Sequence, residues 1–188
     1  MTPYRKVAQY KSTQALAQRW KELGVSIPMD DKILSASEDS PLATPFQFGA
    51  LTVGNRWCIH PMEGWDAETD GRPTSRTLTR WKNFGASGAK LIWGGEAAAV
   101  QPDGRANPNQ TLAVVENREG LTALLRACKE THFDHWGTRD DFVVGLQLTH
   151  SGRFCRPEGK AFRPRMAYRH PLLDAKYGLA SNDDSLLW

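Results

Sequence analysis

An α/β fold, with parallel strands covered by helices, is what this sequence predicts, and three observations predict it. Short apolar runs alternate with stretches of helical periodicity. A polar, glycine-bearing cluster follows each of those runs. No run approaches the roughly 18 apolar residues of a membrane span. Taken in order, Ser12 or Thr13 caps a helix reaching about Leu23, with Ala15, Leu16, Trp20 and Leu23 on one face and Gly24 and Pro28 as stops. Residues 30–45 are polar and proline-bearing and read as an extended arm, so 1–45 forms an N-terminal leader. Residues 46–55 alternate and suggest a hairpin turning at Gly54-Asn55. A first strand over about 56–60 ends at Pro61. A helix from about Ser75 carries Leu78, Trp81 and Phe84, with Gly85 and Gly88 able to stop it. A second strand, 90–93, leads into Gly94-Gly95. Asn117 caps a second long helix with Leu121, Leu124, Leu125 and Cys128 at i, i+3, i+4 and i+7. A third strand spans 141–148, and 150–188 shows no helix or strand pattern.

The chain has 188 residues, of which 24 are Lys or Arg and 21 Asp or Glu, a net charge of +3. With 40% hydrophobic and 24% charged residues it is an ordinary globular composition, which excludes wholesale disorder. The polar start lacks the apolar core of a secretory signal. Cys58, Cys128 and Cys155 are odd in number and show no CxxC pair, which fits a reducing compartment, so a cytoplasmic location is expected, with no membrane partner. The one charge asymmetry lies between His150 and His170, where Arg153, Arg156, Lys160, Arg163, Arg165 and Arg169 face only Glu158. Phe154, Phe162 and Tyr168 interleave with them, as a nucleic-acid surface would require. The expectation is instead a solvated loop or one facing an anionic ligand, with no nucleic-acid partner.

In parallel α/β folds ligands bind at the carboxyl ends of strands. The three clusters that follow the strands, 60–66, 94–97 and 147–153, therefore line one mouth. Three chemistries suit them. A metal could take His60, Glu63, Asp66 and His150, although that spacing matches no ligand pattern. Glu63 and Glu96 could be the carboxylate pair of a glycosidase. A planar cofactor could meet Gln147, whose amide offers both a donor and an acceptor, while Gly94, Gly95 and Ala97 let backbone approach a flat ring.

The run Asn55-Arg56-Trp57-Cys58-Ile59-His60-Pro61-Met62 resembles the N-R-x-x-x-x-P-M opening of the old yellow enzyme family of FMN-dependent oxidoreductases. Asp70-Gly71-Arg72-Pro73-Thr74 resembles its D-G-x-P-T turn. Residues 88–92 and 96–105 are similar to its G-A-G-L-I and E-A-x-x-V-x-P-x-G-R segments, and 145–153 matches G-x-Q-L-x-H-x-G-R. The four motifs occur in order across about residues 46–153.

That resemblance implies a (β/α)8 barrel of TIM type with FMN at the carboxyl end of its strands. Residues 46–188 would be a partial barrel of about the first three βα units, since a complete one needs about 200 to 400 residues. Pro61, Met62 and Glu63 would lie by the ring, Ala97 would meet its carbonyl edge through the backbone, and Gln147 would bond its pyrimidine edge. His150 and Arg153 would stand on the substrate side. NADH or NADPH would be the reductant, and an activated alkene or enoyl-type small molecule the acceptor. Glu63 departs from the neutral residue common there. The family's His/His or His/Asn pair near an H-G-Y sequence and its phosphate loops have no counterpart after Arg153. The chain is therefore expected to be an N-terminal portion that needs a complementary C-terminal polypeptide or self-association, the alternative being a non-catalytic binding remnant.

Overall fold

The computed structural model describes residues 5–179 and 184–187, which fall into two units, Met1–Ser40 and Pro41–Trp188. In the first, helix α1 (Thr13–Glu22) starts where expected: Ser12 Oγ accepts the Ala15 N–H at 3.1 Å. It ends at Gly24, whose φ of +66° no residue with a Cβ adopts cheaply. The second unit begins five residues earlier than the composition suggests. The Arg56 N–H donates to Leu42 O at 2.9 Å and Arg56 Nε to Thr44 O at 3.0 Å, which fastens 41–45 to the strands that follow.

Strands β1 (Phe46–Phe48) and β2 (Leu51–Val53) form the expected hairpin, but it turns at Gly49-Ala50, not at Gly54-Asn55. Gly49 takes a φ of +58°. Asn55 instead bridges two segments: its Nδ2 donates to Gly88 O and its Oδ1 accepts the Lys90 N–H.

Beyond the hairpin the strands are parallel. β3 (Cys58–Ile59) pairs with β4 (Leu91–Ile92), and β4 with β6 (Val143–Val144); β5 (Ala97–Ala99) pairs with β7 (Gln147–Thr149). The expected third strand is thus broken at Gly145-Leu146. A strand that the sequence does not announce, Ala97–Ala99, continues the second. Five positions separate Ile92 from Ala97 but only three separate Val144 from Gln147. The extra residues bulge out as 93–96, so neither strand stays continuous. Among the described residues the strands do not close into a barrel.

Helix α2 (Ser75–Ala86) is capped by Thr74, whose Oγ1 accepts the N–H groups of Arg76 and Thr77. Helix α3 (Arg118–Trp136) begins after Asn117, yet the Asn117 side chain does not cap it. Its Nδ2 reaches Asp70 O and Leu112 O instead. The two helices pack on the sheet around Trp81, Ala89, Ile92, Leu124, Cys128 and Phe142. Gly85 does not stop α2. It is the crossing point with α3, where an added Cβ would sit 2.2 Å from Cys128 O. Residues 150–179 do contain a helix, α4 (Pro171–Lys176), with Pro171 in its first turn and His170 Nδ1 accepting the Leu173 N–H.

At the amino ends of the strands Lys90 Nζ contacts His132 Nε2 at 3.1 Å, Asp141 Oδ1 at 2.9 Å and Thr138 Oγ1. The ammonium can only donate, so His132 accepts at Nε2 and its Nδ1–H donates to Gly85 O. Burial, and then the neighbouring Lys90 cation, hold the His132 pKa below its usual value despite the Gly85 bond. Its folded-state value therefore lies below the unfolded one, about 6.5. The contribution is present in full above that pH and is lost as pH falls through it, because the unfolded chain then binds a proton that the folded chain refuses. The melting-temperature gap between the parent and His132→Gln should accordingly shrink between pH 7 and pH 5. A constant gap would show that His132 does not titrate differently on folding.

Candidate functional site

The carboxyl ends of the three strand lines converge. Trp93 N–H donates to Ile59 O and Gly145 N–H to Ile92 O, at 2.9 and 2.7 Å. One step further the Ala97 N–H donates to Met62 O at 3.2 Å and the Gln147 N–H to Glu96 O at 3.1 Å, while Ala97 stands in register with Gln147. Gly94, at φ +65°, lies where the outer lines close over the middle one. An added Cβ would come within 2.8 Å of Gln147 Cβ and 2.9 Å of Pro61 Cβ. Pro61, Met62, Ala97 and Gln147, chosen from the sequence, are thus brought together on one rim.

Their exposure differs. Met62 is 72% exposed, and Glu63 and Gln147 are also exposed. Among the described residues the Gln147 amide makes no hydrogen bond within the chain, so a donor and an acceptor stand available at the mouth. Ala97 is buried, and both of its backbone groups are engaged, N–H by Met62 O and C=O by Gln110 Nε2 at 2.7 Å. It forms the packed floor of the rim, not a free backbone donor, because the bulge at 93–96 turns its amide toward the Met62 loop.

Glu96 takes no part in a pair with Glu63. It is fully buried beneath the rim, with Oε2 2.8 Å from Arg80 Nη2 and Oε1 accepting the Gly64 N–H at 3.1 Å. Arg80 also holds Asp66 at 2.8 and 3.2 Å. Burial pushes the Glu96 carboxyl up, against the pull of Arg80 and the Gly64 N–H. Arg80, despite its own burial, is held above its usual value by Asp66 and Glu96. The trio fixes the loop after β3 from below. That removes Glu96 from glycosidase chemistry and commits Asp66 to a cation of the chain itself.

His150 is half-buried with Nδ1 accepting the Gly152 N–H at 3.0 Å, which puts its proton on Nε2. Its ring fills a slot that only a glycine at 104 leaves open, since a Cβ there would lie 2.3 Å from His150 Cδ2. Arg153 is not turned toward a substrate. Its guanidinium is paired with Asp174 and donates to Tyr168 O at 2.9 Å, with a side chain only 9% exposed. The basic stretch is largely compensated inside the chain: Arg165 meets Asp103 at 2.9 Å, Arg163 meets Glu158 at 3.3 Å, and Arg156 lies 4.1 Å over the Phe162 ring.

Sequence reasoning missed the groups that brace the rim. Arg105 is buried and donates to Pro102 O, Thr69 O, Pro108 O and Pro157 O, at 3.1, 2.7, 2.7 and 3.4 Å. Burial lowers its pKa, with Asp70 opposing. Gln110 ties Ala97 O to Thr149 Oγ1 and accepts the Ala106 N–H, while Asn107 Nδ2 reaches Gly64 O. The signal was there in Asn107-Pro108-Asn109-Gln110, a run of amides dense enough to satisfy buried backbone.

Compared with known structures, the chain aligns with the old yellow enzyme from Trypanosoma cruzi at a TM-score of 0.54 and 24% identity, over 71% of this chain. The old yellow enzyme from a Pichia species aligns at 0.53 and 17% over 78% of it. The fold is that of the old yellow enzymes. A 2-naphthoyl-CoA reductase in complex with 2-naphthoyl-CoA aligns with this chain at 0.54 and 18% over 62% of it. The chain spans 16 to 36% of the length of these three proteins. The sequence matches no protein-family model and no curated protein. Among the described residues no helix is long and apolar enough to cross a membrane.

Proposed function

We propose that this chain supplies the ring-edge half of a flavin site in an old yellow enzyme-like oxidoreductase. One observation carries the reading: Ala97 is bonded to Met62 and paired with Gln147, so residues from three separate motifs share one rim. The rim suits an isoalloxazine. Gln147 presents an unengaged donor and acceptor to a ring edge, Met62 offers exposed apolar surface to a ring face, and Gly94 keeps the floor free of side chain. When bound, FMN would supply hydride transfer from NADH or NADPH to an activated alkene or enoyl-type acceptor. The chain's own part is to hold and orient. The Arg80–Glu96–Gly64 link sets the height of the Met62 loop, and Gln110 holds Ala97 against Thr149. Phosphate anchors and acceptor-orienting groups are assigned to none of the described residues.

Flavin fluorescence titration tests this. Riboflavin and FMN should bind within about threefold of each other, because no phosphate anchor is assigned here. Gln147→Ala should weaken both about tenfold, the worth of one or two hydrogen bonds at about 0.5–1.5 kcal/mol each. Absence of binding at millimolar flavin, or an unaltered affinity in Gln147→Ala, would end the reading.

A further inference from the structure

Ile59, Ile92 and Val144 turn toward the helices, packing on the core around Trp81 and Leu124. Side chains alternate along a strand line. Trp93 follows Ile92 and donates its N–H to Ile59 O, so its side chain falls on the opposite face of the sheet, away from α2 and α3. The two glycines after it fix that sense. A Cβ at Gly95 would lie 2.8 Å from Ile92 Cγ2 and 3.4 Å from Trp81 Cζ2, on the helix side. One at Gly94 would meet Pro61 and Gln147 at the rim. The Trp93 indole is thus one residue from the rim, on the face that the helices leave uncovered.

A neighbour without a side chain makes room for it. A Cβ at Gly145 would come within 3.3 Å of Trp93 Cε3, tighter than ordinary contact, so this glycine leaves the space that the indole edge occupies. Gly145 stands two residues before Gln147, whose amide is unengaged. The bulge at 93–96 supplies the rest. It puts two more positions between Ile92 and Ala97 than lie between Val144 and Gln147, and bulges beside binding sites re-aim side chains in this way. Held along one edge, the indole is still 56% exposed. A large aromatic surface pinned in this manner beside a rim is a platform for a second flat ring.

We infer that Trp93 is a ring contact of the flavin site: its indole receives the isoalloxazine whose edge Gln147 bonds. The inference rests on the flavin reading and adds to it an aromatic contact outside the motif residues. It has an optical consequence that packing against Gly145 alone would not produce. An indole touching a photoexcited flavin gives it an electron and takes the electron back without emission, so contact extinguishes flavin fluorescence with no net oxidation or reduction.

The test uses the full chain and riboflavin, with affinity read by equilibrium dialysis and emission read on the bound fraction. Riboflavin bound to the parent should be strongly quenched relative to free riboflavin. Trp93→Phe should restore most of the emission while keeping the affinity within about threefold, since a stacked ring remains. Trp93→Ala should restore it and weaken binding about threefold to tenfold, the worth of one aromatic stack. The phenylalanine variant keeps a ring against Gly145, so it decides the matter if the alanine variant fails to fold. Binding that still depends on Gln147 but is indifferent, in emission and affinity, to both Trp93 variants would overturn this inference and leave the flavin reading standing. Trp65, 67% exposed in the loop after β3, is the control. Recovery of emission in Trp65→Phe and not in Trp93→Phe would move the contact to that loop and overturn the inference as well. Absence of riboflavin binding at millimolar concentration would end both readings together.

Discussion

Arg80→Ala is expected to cost about 3 kcal/mol of folding stability, near the lower end of what breaking a buried ion pair costs. The reason is charge balance. Arg80 serves two carboxylates, Asp66 and Glu96, and Glu96 has no exposure to water. Removing the guanidinium leaves Glu96 with only the Gly64 N–H, in surroundings that already push its pKa up. Arg80 and Asp66 keep 26% and 23% of their side-chain surface exposed, so water moderates the loss and the upper end of the range is not reached. Glu96→Gln is the contrasting variant. It keeps one of the two accepted hydrogen bonds, removes the surplus negative charge, and should cost about 1 kcal/mol, the net worth of the one hydrogen bond it loses. Urea denaturation of the two variants separates the accounts. Equal losses would mean that shape, not charge, holds the loop after β3.

Gly85→Ala should be destabilising by about 2 kcal/mol, although alanine is the better helix former. Propensity favours the substitution by about 1 kcal/mol. Against it, the new methyl would lie 2.2 Å from Cys128 O and 3.0 Å from the His132 N. Both are backbone atoms of α3, which no rotamer change can move. Overpacking of this kind costs about 1–3 kcal/mol and sometimes more, so the clash wins. Thermal unfolding measures the outcome, and a Gly85→Ala protein as stable as its parent would show that α2 and α3 stand further apart than described.

The helices were legible because their signals are local. Ser12 and Thr74 cap α1 and α2 through side-chain oxygens, and the apolar spacing of Leu121, Leu124 and Cys128 fixes the inner face of α3. The strands were less so. Two-residue strands such as Cys58–Ile59 are too short for alternation to register, and Ala97–Ala99 has none of the branched or aromatic side chains that mark a strand. Its place is dictated from outside, by Gln110, Thr111 and the β7 register. The same contrast holds at the site. Pro61, Met62 and Gln147 could be chosen from motifs that resemble those of the old yellow enzymes, whereas the inward commitment of Arg153 depends on Asp174, twenty-one positions away. Long-range pairings of this sort leave no spacing in the sequence. Pro171 did leave one, as a first-turn proline opening a short helix.

The buried guanidinium of Arg105 reaches carbonyls at 102 and 108, on either side of it, and at 69 and 157, and so ties together three stretches far apart in the chain. A lysine has one nitrogen and could not span them. No single one of these loops can therefore melt while the others stay in place, because detaching any of them strands a charged donor in the interior. The rim opens all at once or not at all, and its slowest-exchanging amides should report a common opening free energy, as members of one cooperative unit do.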